Sequence, residues 1–141
     1  MSSSGSGLSK TLSAAIDFGQ SLIGKTKYVF GGGRNAKDIA KGVYDCSSFI
    51  HQAFKQAGKD LGPLTSVTTD TLKKKGTAVD SKNMKAGDLI FFDTYKKDGH
   101  VGIYLGDGKF IGAQTSTGVA VVDLNKDKYW SSKLNGNVRR I

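Results

Sequence analysis

Residues 44–50 read Tyr44-Asp45-Cys46-Ser47-Ser48-Phe49-Ile50 and contain the only cysteine of this 141-residue chain. Apolar residues then recur at positions 49, 50, 53, 54 and 57, and Gly58 ends the run. This spacing predicts a helix that begins at Cys46 with Asp45 as its N-cap. The N–H groups at a helix N-terminus favour a thiolate. Cys46 is either a buried structural thiol or a nucleophile, and a base elsewhere in the chain would decide between the two.

The chain has two histidines that could supply this base. His51 lies five residues after Cys46 on the same predicted helix, so we expect it to point away from the thiol and to face solvent. His100 is the first residue of segment 100–105, in which apolar residues alternate with other residues. This alternation predicts a strand that begins at His100. A cysteine and a histidine are the minimum for nucleophilic catalysis in which the imidazole takes the thiol proton. One cysteine and two histidines do not provide the ligands of a structural zinc site.

A third polar group would be needed to orient the imidazole. Gly106-Asp107-Gly108 predicts a hairpin turn, and the returning strand carries Gly112 and Gln114 on one face. The amide oxygen of Gln114 can accept the imidazole N–H and fix its tautomer. The alternative is that Gln114 is an ordinary polar strand residue that faces water.

Five sequence blocks occur in one order: Tyr28-Val29-Phe30-Gly31-Gly32, Asp45-Cys46-Ser47-Ser48-Phe49, Lys85-Ala86-Gly87-Asp88-Leu89-Ile90-Phe91-Phe92, Gly99-His100-Val101-Gly102-Ile103-Tyr104-Leu105 and Lys109-Phe110-Ile111. Over nearly the whole chain this order resembles the NlpC-type family of papain-like cell-wall cysteine endopeptidases. The resemblance implies a papain-like α+β fold, with N-terminal helices packed on a central antiparallel β-sheet and the nucleophile at a helix N-terminus. It also implies no metal and no cofactor.

The same resemblance implies roles for individual residues. Cys46 would be the nucleophile and His100 the base, and Tyr28 and Asp45 would line the substrate site. We assign Ser47 and Ser48 to that site as well. The family usually carries a polar residue, most often histidine, where this chain has Gly112. We therefore transfer the third role to Gln114, which is two residues further on and on the same face.

The activity that follows from the resemblance is hydrolysis of the bond between γ-D-glutamate and the diamino acid of peptidoglycan stem peptides. That diamino acid is either meso-diaminopimelate or L-lysine. Two other classes stay open, namely a wall-binding module made inactive by Gly112 and a papain-like acyltransferase. An alternative hypothesis makes Asp88 the third catalytic residue, but aspartates in turns are usually structural.

Composition agrees with one globular domain, since 38% of the residues are hydrophobic. We expect residues 1–7, which are rich in Gly and Ser, to be a flexible leader or an expression remnant, and residues 8–141 to be a single NlpC-type catalytic domain. The net charge of +9 favours a polyanion such as an anionic wall polymer. No nucleic-acid motif supports a polynucleotide partner, which is the weaker reading.

We found no signal-peptide pattern and no run of about 20 apolar residues that could span a membrane. We therefore expect a monomeric catalytic domain of a longer exported protein, secreted or associated with the cell wall. The remaining pattern predicts an N-terminal helix over 8–23, a loop at 31–34, an irregular segment at 38–43 and a short helix at 68–75. It predicts strands at 88–92, 100–105, 109–115, 118–123 and 137–141, with Tyr129 and Trp130 capping the sheet.

Overall fold

The structure is a computed structural model that describes residues 9–141, so the predicted leader at 1–7 lies outside the described residues. Within that range the α-helices are α1 (Lys10–Ser21), α2 (Ala36–Ala40), α3 (Cys46–Gln56), α4 (Thr69–Leu72) and α5 (Lys128–Lys133). The strands are β1 (Lys27–Tyr28), β2 (Val43–Tyr44), β3 (Thr77–Val79), β4 (Leu89–Phe92), β5 (His100–Gly106), β6 (Lys109–Gln114), β7 (Gly118–Asp123) and β8 (Leu134–Arg140).

Six strands form the central sheet in the order β3-β8-β4-β5-β6-β7, and every neighbouring pair is antiparallel. The short strands β1 and β2 form a separate parallel pair that precedes α3. The α+β class with helices on an antiparallel sheet, predicted from the sequence, is therefore confirmed.

The strand register brings the predicted base close to Gln114. Ile103 of β5 pairs with Ile111 of β6, and continuing this register places His100 opposite Gln114. Gln114 in turn pairs with Gly118 at the start of β7. One end of the sheet thus gathers the beginning of β5, the end of β6 and the beginning of β7.

The two faces of the sheet pack differently. Helices α1 and α3 cover one face, where Phe49 and Ile50 are buried together with Val101 and Ile111. The opposite face carries a smaller cluster that is buried around Phe92 and Phe110. Cys46 belongs to the first cluster, whereas the imidazole of His100 lies against the rings of the second. The two predicted catalytic residues therefore approach the same end of the sheet from opposite faces, with the Cys46 sulfur next to Gly99, the residue before His100.

His51 is buried, and the prediction that it faces solvent is wrong. Its exposed fraction is 4%, and its Nε2 lies 2.6 Å from the carbonyl oxygen of Gly62. Helix α3 is a central element, because α1, α4 and the sheet all contact it and every residue from Cys46 to Phe54 is buried. The apolar stripe predicts only one covered face, so it cannot reveal this second layer of contacts.

The segment at 38–43, predicted to be irregular, begins within α2. Asn35 caps this helix by accepting the backbone N–H of Asp38 at 2.8 Å. Gly42 follows the helix with a φ of 71°, a conformation that favours glycine. A five-residue helix has too short an apolar pattern for periodicity to detect.

Candidate active site

The nucleophile candidate is fixed by the start of α3. Asp45 is the N-cap, and its Oδ1 accepts the backbone N–H of Ser48 at 2.9 Å. The hydroxyl of Ser48 in turn accepts the N–H of Asp45 at 2.9 Å, which completes a capping box. The helix therefore begins at Cys46, as predicted, and the Cys46 Sγ lies 4.0 Å from the carbonyl oxygen of Gly99. This contact puts the sulfur beside the residue that precedes His100.

The imidazole of His100 is oriented by Gln114. The Oε1 of Gln114 lies 3.1 Å from the Nε2 of His100, and the Gln114 amide nitrogen faces the carbonyl oxygen of Ala120 at 3.4 Å. An amide oxygen is an acceptor only, so this assignment places the imidazole proton on Nε2. The Nδ1 of His100 is then the nitrogen that can receive a proton.

Gly112 makes this contact possible. A Cβ atom built on Gly112 would lie 2.5 Å from the Oε1 of Gln114. The side chain of Gln114 therefore folds back over Gly112 and places its amide in the space that a side chain at 112 would occupy. The sequence departure at Gly112 and the presence of Gln114 are two parts of one arrangement.

An aromatic cluster surrounds the imidazole of His100. The ring of Trp130 lies 4.6 Å from it with an interplanar angle of 35°, and the rings of Phe92 and Phe110 lie at 5.7 and 6.4 Å. Sequence reasoning assigned Trp130 only to capping the sheet and missed its contact with the base. The available signal was that the single tryptophan of the chain shortly precedes the last strand.

Burial dominates the electrostatics of the pair. It raises the pKa of Cys46 to about 12, with a further contribution from the Asp45 carboxylate. Burial also lowers the pKa of His100 to about 4, although the hydrogen bond to Gln114 opposes this shift. The expectation that the helix N-terminus makes Cys46 a thiolate is therefore wrong for the free protein, because removal from water outweighs the nearby backbone N–H groups. At neutral pH the resting pair is a thiol and a neutral imidazole.

A second group of contacts, centred on Arg34, was not anticipated from the sequence. Its Nη1 forms an ion pair with the Oδ2 of Asp45 at 2.8 Å, and its Nη2 donates to the hydroxyl of Ser47 at 3.0 Å. Its guanidinium also donates to the carbonyl oxygen of Val67 at 2.6 and 3.2 Å. Arg34 thus joins the glycine-rich loop to the N-terminus of α3. The available signal was a lone arginine directly after three glycines.

The residues assigned to substrate binding fall into two groups. Tyr28 is half-buried, and burial together with the charges of Cys46 and Asp45 raises the pKa of its phenol. It therefore keeps its proton beside the nucleophile. Ser47 and Ser48 are buried, and their hydroxyls donate to Asp45 at 3.1 Å and to the carbonyl oxygen of Gly32 at 2.8 Å. Those two hydroxyls hold the helix start and the glycine loop.

Asp88, the competing acid, has a structural role. Its carboxylate forms a bidentate pair with Arg140 at 2.8 and 2.9 Å and accepts the N–H of Lys85 at 2.8 Å. Among the described residues, no group of three or more His, Cys, Asp or Glu side chains could hold a metal ion. None of the helices in residues 9–141 is long and apolar enough to cross a membrane.

Comparison with known sequences matches residues 24–139 to the model of the NlpC/P60 family. The chain is 49% identical over 130 residues to the peptidoglycan DL-endopeptidase CwlO of Bacillus licheniformis. The aligned region covers 92% of this chain and 28% of that relative. The chain is 34% identical over 101 residues to the murein DD-endopeptidase MepS/murein LD-carboxypeptidase of Escherichia coli K12, covering 72% of this chain and 50% of that protein. The chain thus spans half or less of the length of these two relatives.

Solved structures give the same result for the fold. An NLP/P60-family protein similar to lipoprotein, from Staphylococcus aureus Mu50, superposes with a TM-score of 0.72 at 28% identity and covers 93% of this chain and 41% of that one. The peptidoglycan hydrolase RipB of Mycobacterium tuberculosis superposes with a TM-score of 0.71 at 26% identity, covering 93% and 64% of the two chains. The arrangement of helices on an antiparallel sheet is therefore shared with proteins of this group.

Proposed function

This chain belongs to the NlpC/P60 family, and from that premise we propose that it is a cysteine endopeptidase that hydrolyses peptidoglycan stem peptides. The bond proposed is the one between γ-D-glutamate and the diamino acid. The observation that carries the proposal is the contact between Gln114 and His100 beside the thiol at the start of α3. The 49% identity to a peptidoglycan DL-endopeptidase supports the choice of substrate.

The proposed reaction begins with a neutral pair. Cys46 Sγ attacks the carbonyl carbon of the γ-glutamyl bond while its proton moves to the Nδ1 of His100. The imidazolium of His100 and the oxyanion of the tetrahedral intermediate then carry opposite charges, and their attraction offsets part of the cost of charging the imidazole in a buried site. His100 next gives that proton to the leaving amine nitrogen as the C–N bond breaks. Water then cleaves the thioester, and its proton returns through His100 to the sulfur.

The start of α3 also supplies a site for the developing oxyanion. Backbone N–H groups of Cys46, Ser47 and Val101 are directed at the Cys46 sulfur, where they oppose the rise in its pKa. Donors fixed in this way stabilise the negative oxygen of a tetrahedral intermediate. Asp45 and Ser48 hold the first two of these N–H groups in place through the capping box, whereas that of Val101 is fixed by β5.

The acyl half of the substrate is proposed to lie along Tyr28 and the Arg34–Asp45 pair. These groups border Cys46 on the side of the glycine-rich loop, where Gly31 N–H donates to the Asp45 carboxylate at 2.9 Å. We propose that residues 8–141 act as one catalytic domain of a secreted or wall-associated protein. The net charge of +9 suits an anionic wall.

Digestion of purified peptidoglycan tests the proposal directly. The protein and its Cys46→Ala variant are each incubated with walls that contain meso-diaminopimelate or L-lysine, and the products are identified by mass. We expect a new free amine on the diamino acid with the wild type alone. A His100→Asn variant provides a second inactive control that leaves the thiol intact.

Other outcomes would assign the chain to another class. Wall binding without cleavage, on both wall types and on soluble muropeptides, would overturn the hydrolase and indicate a binding module. Transfer of the acyl group to an added amine or lipid, in place of water, would indicate an acyltransferase. Both results are read from the same product masses.

A further inference from the structure

A groove of about 720 Å³ runs along β7 and the start of α5. Its lining includes Gln114, Thr117, Ala120, Val122, Asp123 and Trp130. The groove is larger than a single side chain needs and lies within the volume range of small-ligand sites. No step of the proposed reaction has yet used it.

The groove reaches the catalytic base through two of its own residues. Gln114 accepts the N–H of His100, and the ring of Trp130 stacks on the imidazole at 4.6 Å. The groove therefore starts at the end of the sheet that carries His100 and extends away from it along β7. A ligand in it would touch the two side chains that hold the base.

Chemistry decides which half of the substrate lies there, given the proposed function on which this argument rests. The acyl half stays attached to Cys46, whereas the leaving amine must be within reach of His100 to receive its proton. The leaving half consequently extends on the imidazole side of the site. We propose that this groove binds the leaving diamino acid and that it selects meso-diaminopimelate over L-lysine.

The lining matches the side chain of such a diamino acid. Ala120, Val122 and Trp130 offer apolar contact to its methylene groups. Farther along, the lining contains two carboxylates and two ammonium groups, from Asp123, Asp127, Lys126 and Lys128. Meso-diaminopimelate ends in both an ammonium and a carboxylate, whereas lysine ends in an ammonium alone. A lining of balanced charge therefore complements the first side chain better than the second.

The test uses Trp130, the only tryptophan of the chain, as the reporter. Its fluorescence is followed in the Cys46→Ala protein during titration with meso-diaminopimelyl-D-alanine or L-lysyl-D-alanine. We expect a saturable change with both dipeptides and a Kd about fivefold lower for the first, since one favourable charge pair near a surface contributes up to about 1 kcal/mol.

Two double variants locate the selectivity. Lys126→Gln with Lys128→Gln should bring the two Kd values together, because the partner of the second carboxylate is removed. Lys55→Gln with Lys59→Gln, which makes the same change in charge at two exposed positions in the last turn of α3 and the loop after it, should leave the ratio as in the Cys46→Ala protein.

Equal Kd values for the two dipeptides would overturn the inference, as would an absent fluorescence change or a ratio that the groove variants leave unchanged. The measurement needs no turnover, so it is independent of the digestion experiment. Wall cleavage without selective binding would support the endopeptidase activity and contradict the proposed role of the groove. Selective binding without any cleavage would contradict the endopeptidase activity and leave the binding selectivity of the groove supported.

Discussion

Single side chains set the orientation of the base in this site. Gln114 reaches the His100 Nε2 from a position two residues beyond the one that relatives are expected to use, and the missing side chain of Gly112 leaves the space for it. Strand alternation keeps residues 112 and 114 on one face, so the same contact can be made from either position. The two positions should therefore be exchangeable as a pair.

The first prediction is an exchange of these positions. Gln114→Ala removes the acceptor of the imidazole N–H, so kcat should fall by a factor of about 10² or less. Adding Gly112→Asn to that variant should restore a large part of the loss. Gly112→Asn alone should displace the Gln114 amide from the imidazole, since its Cβ would lie 2.5 Å from the Gln114 oxygen, the movable end of that side chain. A double variant as slow as Gln114→Ala would contradict the pairing, with circular dichroism confirming that each protein is folded.

The second prediction concerns the titration of Cys46. Its pKa is raised to about 12 by burial and by Asp45, so the thiol form dominates the free protein at neutral pH. Alkylation by iodoacetamide should be slow at pH 7 and should rise through pH 9 without levelling off, because only the thiolate reacts. Quenched samples analysed by mass give the rate, and Cys46→Ala gives the background. A plateau reached below pH 8 would show that the resting protein holds a thiolate.

Among the elements, the glycine-rich loop and the N-terminus of α3 depend on Arg34. One guanidinium bonds the carboxylate of Asp45, the hydroxyl of Ser47 and the carbonyl oxygen of Val67, which lies beyond α3 in the chain. A planar group with several donors is suited to this task, whereas the single ammonium of a lysine is not.

The third prediction is that Arg34→Met lowers the free energy of unfolding by about 3 kcal/mol. The loss arises because the Asp45 carboxylate remains buried without its charged partner, since the two side chains are only 17% and 6% exposed. Chemical denaturation at pH 7 measures the change. Arg139→Met serves as the control, because its bonds go to the carbonyl oxygens of Lys75 and Gly76 and not to a carboxylate. Equal losses in the two variants would contradict a special role for the ion pair.

The same elements show which features a sequence can predict. The start of α3 and the contact from Gln114 depend on local periodicity, which the sequence records directly. The Arg34 contacts, the stacking of Trp130 and the burial of His51 depend on segments that are distant in sequence. Local patterns do not specify such contacts. The prediction of a lowered pKa for Cys46 was wrong for the same reason. Burial by several elements raises this pKa by more than the local helix terminus lowers it.

The folded protein buries His100 and keeps its imidazole neutral, so the stability of the protein depends on pH. The fourth prediction follows from the pKa of this imidazole, which burial lowers from 6.5 to about 4. Unfolded chains bind the proton more tightly, so stability is full above pH 6.5 and is lost as the pH falls towards 4, by about 3 kcal/mol in total.

The measurement is the free energy of unfolding at pH 7 and at pH 4.5, in the wild type and in His100→Asn. The carboxylates contribute equally to the pH dependence of stability in both proteins. The difference between the two losses of stability is therefore the contribution of His100. The wild type should lose more stability than the variant over this interval. Parallel losses would mean that the folded protein accepts the imidazole proton as readily as the unfolded chain.

The site lies at one end of a sheet whose contributing segments are far apart in the chain. The thiol comes from the start of α3, its base from β5 and the stacking indole from α5, at positions 46, 100 and 130. A ribosome would deliver the thiol more than fifty residues before its base, and the indole thirty residues after that base. Unfinished or misfolded copies would hold a thiol with nothing to accept its proton. Reactivity would thus be withheld until α3, β5 and α5 have all folded together.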